Sequence, residues 1–358
     1  MNEHWRDLNV SIIVPIHSGG LTLEKCLKSL ENNSRDVFEI ILVLDGVSLD
    51  EGFFDQFDLV GHKVERLQHN SGPAHARNHG ANRANGDILF FLDSDVELLS
   101  DTLTKVSQHF EKNTNSCALI GSYDDDPYVK SLVSRYRNLL HHHTHQVAEE
   151  NATTFWGACG AIKREVFLAI GGFDTSFSKP SVEDIELGYR LKQKNYTIKL
   201  EKDLQVKHLK KWTFLNTVKT DIFYRAKPWT KLLHRYQKLG VNDLNISHDE
   251  RLAVAFLTAA FTSLIMSIKF DFSLPIGLIS ILSLLLIKRK TYRFFAIHFE
   301  WYKMPVVVLL HWVYLTCALL GFILGTTDRL FLPKEKDKPE IDQISNERTT
   351  EENLALNE

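Results

Sequence analysis

The run Asp87-Ile-Leu-Phe-Phe-Leu-Asp93-Ser-Asp95 constrains the fold of this chain more than any other stretch. Residues 88–92 are all apolar, so no polar face remains, and the segment reads as a strand covered on both sides in a parallel sheet. Two carboxylates, one residue apart, follow where that strand ends. In an open α/β sheet, ligands bind beyond the carboxyl ends of the strands. Two anions this close repel each other unless a divalent cation offsets their charge. A cation shared with a diphosphate points to a nucleotide-dependent enzyme.

The preceding sequence supplies the rest of such a sheet. Val10–Val14 is a short β-branched strand ending at Pro15, and Leu23, Cys26, Leu27 and Leu30 then share one helical face. Phe38–Leu44 is a second buried strand closing on Asp45, and Val64–Leu67 is a third. Gly72–Asn85 is rich in Ala, Asn and Gly and predicts a helix with a tightly packed small-residue face. This alternation predicts an α/β doubly wound sheet with Asp45, Asp93 and Asp95 on one edge.

Composition narrows the partners. The net charge is −3, so no basic face is advertised and nucleic acid is not an expected partner. Cys26, Cys117, Cys159 and Cys317 are far apart and form no CxxC pair. They read as small apolar fillers in a reducing compartment. The first ten residues are polar, so a cleavable secretory signal is not expected. His141-His-His-Thr-His145 has the look of a metal tract, yet it lies in a polar helical stretch and reads as solvated.

The last third belongs to a different solvent. Leu252–Ile268, Phe272–Ile287 and Met304–Thr327 carry no charge. Three such stretches in succession predict about three transmembrane helices over 251–327. Lys288-Arg-Lys290 and Arg293 should face the cytoplasm, which places the catalytic half there too, on a multi-pass protein of the cell (inner or plasma) membrane. The third stretch carries the tail across, unless it bends back or lies in the interface. Residues 328–358 form a polar tail expected to be disordered. Between the halves, basic residues from Lys207 to Arg235 interleave with Trp212, Phe214, Phe223, Tyr224 and Trp229. Residues 216–250 therefore suit the headgroup layer, the alternative being an ordinary surface helix pair.

Five motifs occur in order: Ser11-Ile-Ile-Val-Pro15, Asp45-Gly-Val-Ser-Leu-Asp50, Gly72-Pro-Ala-His-Ala-Arg-Asn78, Asp93-Ser-Asp95 and Glu183-Asp184. Together the series resembles the inverting glycosyltransferases of family 2. That implies a GT-A fold (Rossmann-like, a mostly parallel sheet flanked by helices) over residues 1–215, followed by an α-helical membrane region. It also implies a nucleotide-sugar donor, with a UDP-sugar first, and Mg²⁺ or Mn²⁺ as cofactor. Asp45, with Pro15, Ile16 and His17, is then expected at the nucleotide base. A carboxylate accepts hydrogen bonds from a uracil or guanine NH, although a turn-forming Asp before Gly46 is the plainer reading. Arg77 is expected on the diphosphate or the base, against the alternative of a solvated helix arginine.

In the same resemblance, Asp95 coordinates the metal that bridges the donor diphosphate. Asp93 contacts the ribose or the metal's water shell, with Ser94 beside it in the nucleotide site. His208 is a metal ligand, a phosphate contact or simply a surface histidine. Thr154–Ala161 is placed at the sugar and acceptor. There Gly157 lets backbone approach a ligand closely, and Trp156 either stacks on a sugar or packs in the core. Asp184 is implied as the general base that deprotonates the acceptor hydroxyl as it attacks the anomeric carbon. Glu183 shapes the acceptor site beside it.

The processive synthases of this family carry a QxxRW motif before their membrane helices. Here the region reads Arg225-Ala-Lys-Pro-Trp229, which favours transfer of one sugar. A lipid presented at the bilayer surface is the expected acceptor. The alternatives are a growing polysaccharide and an inactive membrane scaffold. A nucleotide triphosphatase is disfavoured, because no GxxxxGK[ST] loop exists.

Overall fold

The computed structural model describes residues 8–33, 37–59, 61–241 and 243–331. Of the tail expected to be disordered over 328–358, residues 328–331 are instead the last turn of a helix, and the rest lies outside the described residues. One eight-stranded sheet runs in the order β3-β2-β1-β4-β7-β6-β8-β5. Its first half comprises β1 (Val10–Ile16), β2 (Glu39–Asp45), β3 (His62–Leu67) and β4 (Ile88–Leu92), all mutually parallel.

Every residue of β1, β2 and β4 is buried, because both sheet faces are covered. Alternate side chains go to opposite sides, as the pleat requires. Ile12, Val14, Leu42 and Phe90 meet Leu23, Leu27 and Leu30 of α1 (Leu21–Asn33). Ile13, Val43 and Phe91 meet Ala74, Ala76 and Ala81 of α2 (Pro73–Arg83). The small residues of α2 bring that helix close to the sheet, as its composition predicts.

Beyond β4, antiparallel pairs enter a sheet that is still parallel in four of its seven strand pairings. β7 (Cys159–Lys163) runs antiparallel to both β4 and β6 (Ala118–Tyr123). β6 pairs parallel with β8 (Ile198–His208), and β5 (Val96–Leu98) pairs antiparallel with β8. The sheet is therefore mixed. A turn at 93–95 leads from β4 directly into β5 with no crossover helix, so the alternation that signalled a doubly wound sheet stops there. α3 (Thr102–Lys112) joins the first face through Leu103, Val106 and Phe110. α5 (Arg164–Ala169) and α6 (Glu183–Gln193) join the second.

α4 (Leu132–Val147) links this domain to the helical half. Its Tyr136, Leu139 and Leu140 pack against Phe295 and Phe299. The chain then continues through α7 (Phe214–Lys219), a π-helical stretch at Thr220–Ala226 and α8 (Lys227–Arg235). Next come α9 (His248–Met266), α10 (Ser273–Ile287), α11 (Arg289–His298) and α12 (Met304–Phe331).

α9 and α10 form a hairpin in which Ser263 donates to the Ser273 carbonyl. α12 lies on the π-helical stretch and α8 through two glycines one turn apart. A Cβ at Gly321 would stand 2.3 Å from the Cβ of Ala226, and one at Gly325 would stand 2.7 Å from the Lys227 carbonyl. This close backbone approach needs small residues, as in packed membrane helices. Lys227 and Lys231 both reach Asp328, at 2.9 and 2.7 Å.

Among the described residues, one helix is long and apolar enough to cross a bilayer, Trp301–Leu330. It contains the third uncharged stretch. α10 is apolar but only 15 residues long. At 1.5 Å per residue that is about 22 Å, short of a hydrocarbon core of about 30 Å. The apolar part of α9 has a similar reach. Of the about three transmembrane helices expected over 251–327, one is long enough to span and the other two apolar stretches form a shorter hairpin. Of the basic cluster, Arg289, Lys290 and Arg293 are exposed, whereas Lys288 is buried against Glu250 at 2.5 Å. Trp229, placed at the headgroups by the sequence, is instead buried, and its Nε1 donates to the Tyr189 hydroxyl at 2.8 Å.

Candidate active site

β1 sits between β2 and β4, so the chain winds outward to β3 and then returns to the other side of β1. That reversal opens a crevice at the carboxyl ends of the strands. A cavity of about 330 Å³ occupies it. Pro15, Ile16 and His17 line it from the end of β1, Asp45 from β2, and Asp93, Ser94 and Asp95 from beyond β4. Arg77, Trp156, Glu183, Asp184 and His208 complete the set that the sequence singles out. Gly157 stands just behind them, donating its N–H to Asp184 Oδ2 at 3.1 Å.

Most of the charges inside the cavity are already engaged. Asp45 is buried, and its two oxygens accept from the backbone N–H groups of Ser71 (2.7 Å) and Gly72 (2.9 Å). It therefore shapes the loop before α2 that walls the crevice. Arg77 is a buried strut, not a solvated arginine. Nη2 donates to Asp93 Oδ1 at 2.7 Å and Nη1 to Glu183 Oε1 at 3.0 Å. Burial opposes its charge, but Asp93, Glu183 and Asp184 outweigh burial and hold its pKa above the usual value. The strut fits because residue 157 is glycine: a Cβ there would stand 2.9 Å from the guanidinium carbon.

The three acids nearest the reacting volume sit in different electrostatic settings. Burial raises the pKa of Asp93, aided by Asp95 and opposed by Arg77. Asp95 resists its burial: His208, Lys210 and His17 pull it down to about 2. Burial, with Glu183 beside it, pushes Asp184 up to about 7, against the Gly157 N–H bond and Arg77. Glu183 is closed off, with Oε2 accepting from the Ser181 N–H at 2.9 Å. A carboxylate raised to about 7 can gain and lose a proton near neutrality.

His208 stands beside Asp95. Its Nε2 lies 3.8 Å from Asp95 Oδ2, and its ring stacks on Tyr123 with centroids 4.3 Å apart and planes 6° apart. Among the described residues no group of three or more His, Cys, Asp or Glu side chains forms a ready cation cage. The donors here are one carboxylate, from the turn after β4, and one imidazole, from the end of β8. That set fits Mg²⁺ or Mn²⁺ provided the donor diphosphate and water supply the remaining ligands, as is usual for these ions.

The site also contains groups that the sequence reading misplaced or missed. The His141–His145 tract is not solvated. His142 bonds the Tyr123 carbonyl through Nδ1 at 2.7 Å, His145 bonds the Gly121 carbonyl at 2.9 Å, and His141 packs at a tilt against the rings of His145, Tyr123 and Trp156. Burial keeps His145 neutral, with its pKa pushed down to about 4. Trp156 thus belongs to a cluster of aromatic and imidazole rings, with Tyr123, His141 and His145, that lines the cavity. The signal was present in the four-residue spacing of His141 and His145, which puts both rings on one helix face. Tyr123 and Arg137 also line the cavity, and nothing in their local sequence marks them; Arg225, read in the sequence as part of a basic and aromatic interfacial stretch, lines it too.

Residues 11–171 match the family described as glycosyl transferase family 2. An uncharacterized glycosyltransferase of Haemophilus influenzae is 31% identical over 196 residues, which are 51% of this chain and 62% of that protein. The GalNAc(5)-diNAcBac-PP-undecaprenol beta-1,3-glucosyltransferase of Campylobacter jejuni is 32% identical over 104 residues, 28% of this chain and 33% of that one. The chain spans less than two thirds of the length of either relative. Among solved structures, a mannosyltransferase of Pyrobaculum calidifontis in complex with GDP-Man and Mn²⁺ aligns with a TM-score of 0.51. It covers 88% of this chain and 87% of that one at 14% identity, a likeness of fold. Residues 11–171 thus match glycosyl transferase family 2, and the mixed sheet with the acids gathered at its edge is GT-A-like in fold.

Proposed function

We propose that this protein is a membrane-anchored, inverting glycosyltransferase that moves one sugar from a nucleotide-sugar donor to a hydroxyl or phosphate of a lipid. The observation that carries this reading is the convergence of Asp45, Asp93, Asp95, Asp184 and His208, distant along the chain, on one cavity. The nucleotide lies along the ends of β1 and β2, against Pro15, Ile16, His17 and the loop held by Asp45. Asp93 and Ser94 take the ribose side. When bound, Mg²⁺ or Mn²⁺ held by Asp95 and His208 supplies positive charge to the leaving diphosphate.

Asp184 acts from the other wall. Its Oδ2 is fixed by the Gly157 N–H and its Oδ1 by the Ile185 N–H at 2.8 Å, so the carboxylate is oriented before the acceptor arrives. It accepts the proton of the acceptor oxygen as that oxygen bonds to the anomeric carbon and the bond to the diphosphate breaks. One base and one displacement invert the anomeric centre. A pair of carboxylates flanking a water, the arrangement of a hydrolase, is not what Asp184 and its Arg77-bound neighbour Glu183 offer.

Anchoring rests on α12 and on apolar side chains left facing outward, such as Ile268 at 88% exposure and Phe272 at 70%. Exposed Arg289, Lys290 and Arg293 favour a cytoplasmic catalytic half by the positive-inside tendency. The Campylobacter relative, named for a lipid-linked acceptor, supports a lipid here. The test is transfer by membranes holding the chain, supplied with labelled UDP- and GDP-sugars with and without Mn²⁺. Labelled lipid of inverted anomeric configuration is the expected product. Retained configuration, or transfer undiminished in Asp184→Asn, rejects the mechanism.

A further inference from the structure

A second cavity, of about 1080 Å³, lies between α9, α12 and the segment 221–233. Its walls are mostly apolar. Met266, Phe270 and Phe272 form the end near the hairpin tip, and Ala255, Ala259 and Ala318 line its middle. The tip carries the exposed Ile268, so this end opens where the protein is most apolar outside. At the inner end, Arg225, Trp229 and Asn245 line both this groove and the catalytic cavity. The two spaces are neighbours across three side chains.

Charge at that inner end is unevenly compensated. Asp221 is held by Arg137 at 2.6 and 2.9 Å, and Glu250 is held by Lys288 at 2.5 Å. Arg251 donates to the Val241 carbonyl at 2.5 Å. Arg225 makes no hydrogen bond or ion pair among the described residues. Burial, with Arg137 nearby, holds its pKa below the usual value, against the attraction of Asp221 and Asp184. A half-buried guanidinium beside an apolar space is costly until an anion joins it. It also sits in the π-helical stretch, an irregularity that recurs at functional sites.

We propose that this groove holds the apolar chain of the lipid acceptor and that Arg225 binds its phosphate headgroup, beside Asp184. The inference rests on the transferase reading above. It adds where the lipid lies and which chemistry recognises it. Continuity with the catalytic cavity argues for a substrate rather than a structural lipid. A guanidinium left without a hydrogen-bond or ion-pair partner at the junction of the two cavities argues for an anionic headgroup.

The test uses the full-length chain in detergent micelles and a tritiated long-chain isoprenyl monophosphate as probe. The parent should bind it saturably. Ala255→Trp and Ala318→Trp fill the groove from α9 and α12 respectively, and each should weaken binding by about tenfold or more. Arg225→Met should reduce the affinity to that of the matching uncharged isoprenol. Thermal melts establish that each variant folds, and the two walls are independent trials. Unchanged affinity in both filled variants overturns the proposal. So does equal binding of isoprenol and isoprenyl phosphate by the parent, or displacement by inorganic phosphate alone. Mn²⁺-dependent binding of UDP or GDP is measured on the same sample. Nucleotide binding without lipid binding rejects the groove and spares the transferase reading; lipid binding without nucleotide binding does the reverse.

Discussion

In the catalytic cavity nearly every charge has a partner before any ligand arrives. Arg77 spans Asp93 and Glu183, and Asp45 and Asp184 each hold two backbone N–H groups. In the helical half the balance is reversed. Leu264, Leu278, Ile279, Leu282 and Leu286 are each at least 57% exposed, turned outward along α9 and α10 with nothing packed on them. The first region is preorganised in the sense that removing one group strands another. The second is finished only by a different solvent or a ligand. Substitutions in the two should therefore fail in different ways: chemistry and buried charge in one, docking and lipid in the other.

The sharpest break is expected at Asp184→Asn. Transfer should fall by about 10²–10⁴-fold, the usual contribution of a positioned base, while donor affinity stays near that of the parent. Single-turnover transfer and calorimetric titration of the nucleotide sugar separate the two. Arg77→Met should follow. It leaves Asp93 and Glu183 without their common partner, and breaking a buried pair in this way costs about 3–5 kcal/mol. Denaturant unfolding in detergent measures the loss.

Across the divide, Gly321→Leu should force α12 away from Ala226 and Lys227. Overpacking of this kind costs about 1–3 kcal/mol. The readout is melting temperature together with release of the helical half to limited proteolysis. Resistance equal to the parent would show that α12 is held by something other than this contact.

The pH profile sharpens the comparison further. The folded-state pKa of Asp184 is raised to about 7, so its proton-accepting form grows as pH rises through 7. Transfer should fall about tenfold for each pH unit below 7 and level off above it. A rate independent of pH between 5 and 8 removes Asp184 as the base. The smallest effect is expected at Lys130→Ala. Its ion pair with Asp126 is exposed on both sides, so stability should change by less than about 1 kcal/mol. This surface pair is the control against which the Arg77 strut is judged.

Much of this was legible because it depends on local pattern. The uniform burial of β1, β2 and β4 follows from unbroken apolar runs, and α1 follows from the spacing of Leu23, Cys26, Leu27 and Leu30. The acids at the strand ends were legible for the same reason. Less so was the antiparallel insertion of β7, because strand direction is set by where the connecting chain returns and not by the strand's own residues. The His141–His145 tract was misjudged because polarity was weighed above its four-residue spacing. The length of the uncharged stretches was legible, but the hairpin of α9 and α10, with Ser263 bonded to Ser273, was not.

Local sequence alone determined which segments would be strands or helices and which acids would stand at strand ends, because periodicity and side-chain volume act over a few residues. Only the tertiary structure decided what those acids do. Residues 77, 93 and 183 become one bridge, and 157 and 184 one oriented base, through contacts between positions up to 106 apart. The burial that raises Asp184 and the neighbours that lower Asp95 come from elements that no local window contains. The meeting of the apolar groove with the catalytic cavity at Arg225 arises in the same way, from α12 closing over a segment nearly a hundred residues earlier in the chain.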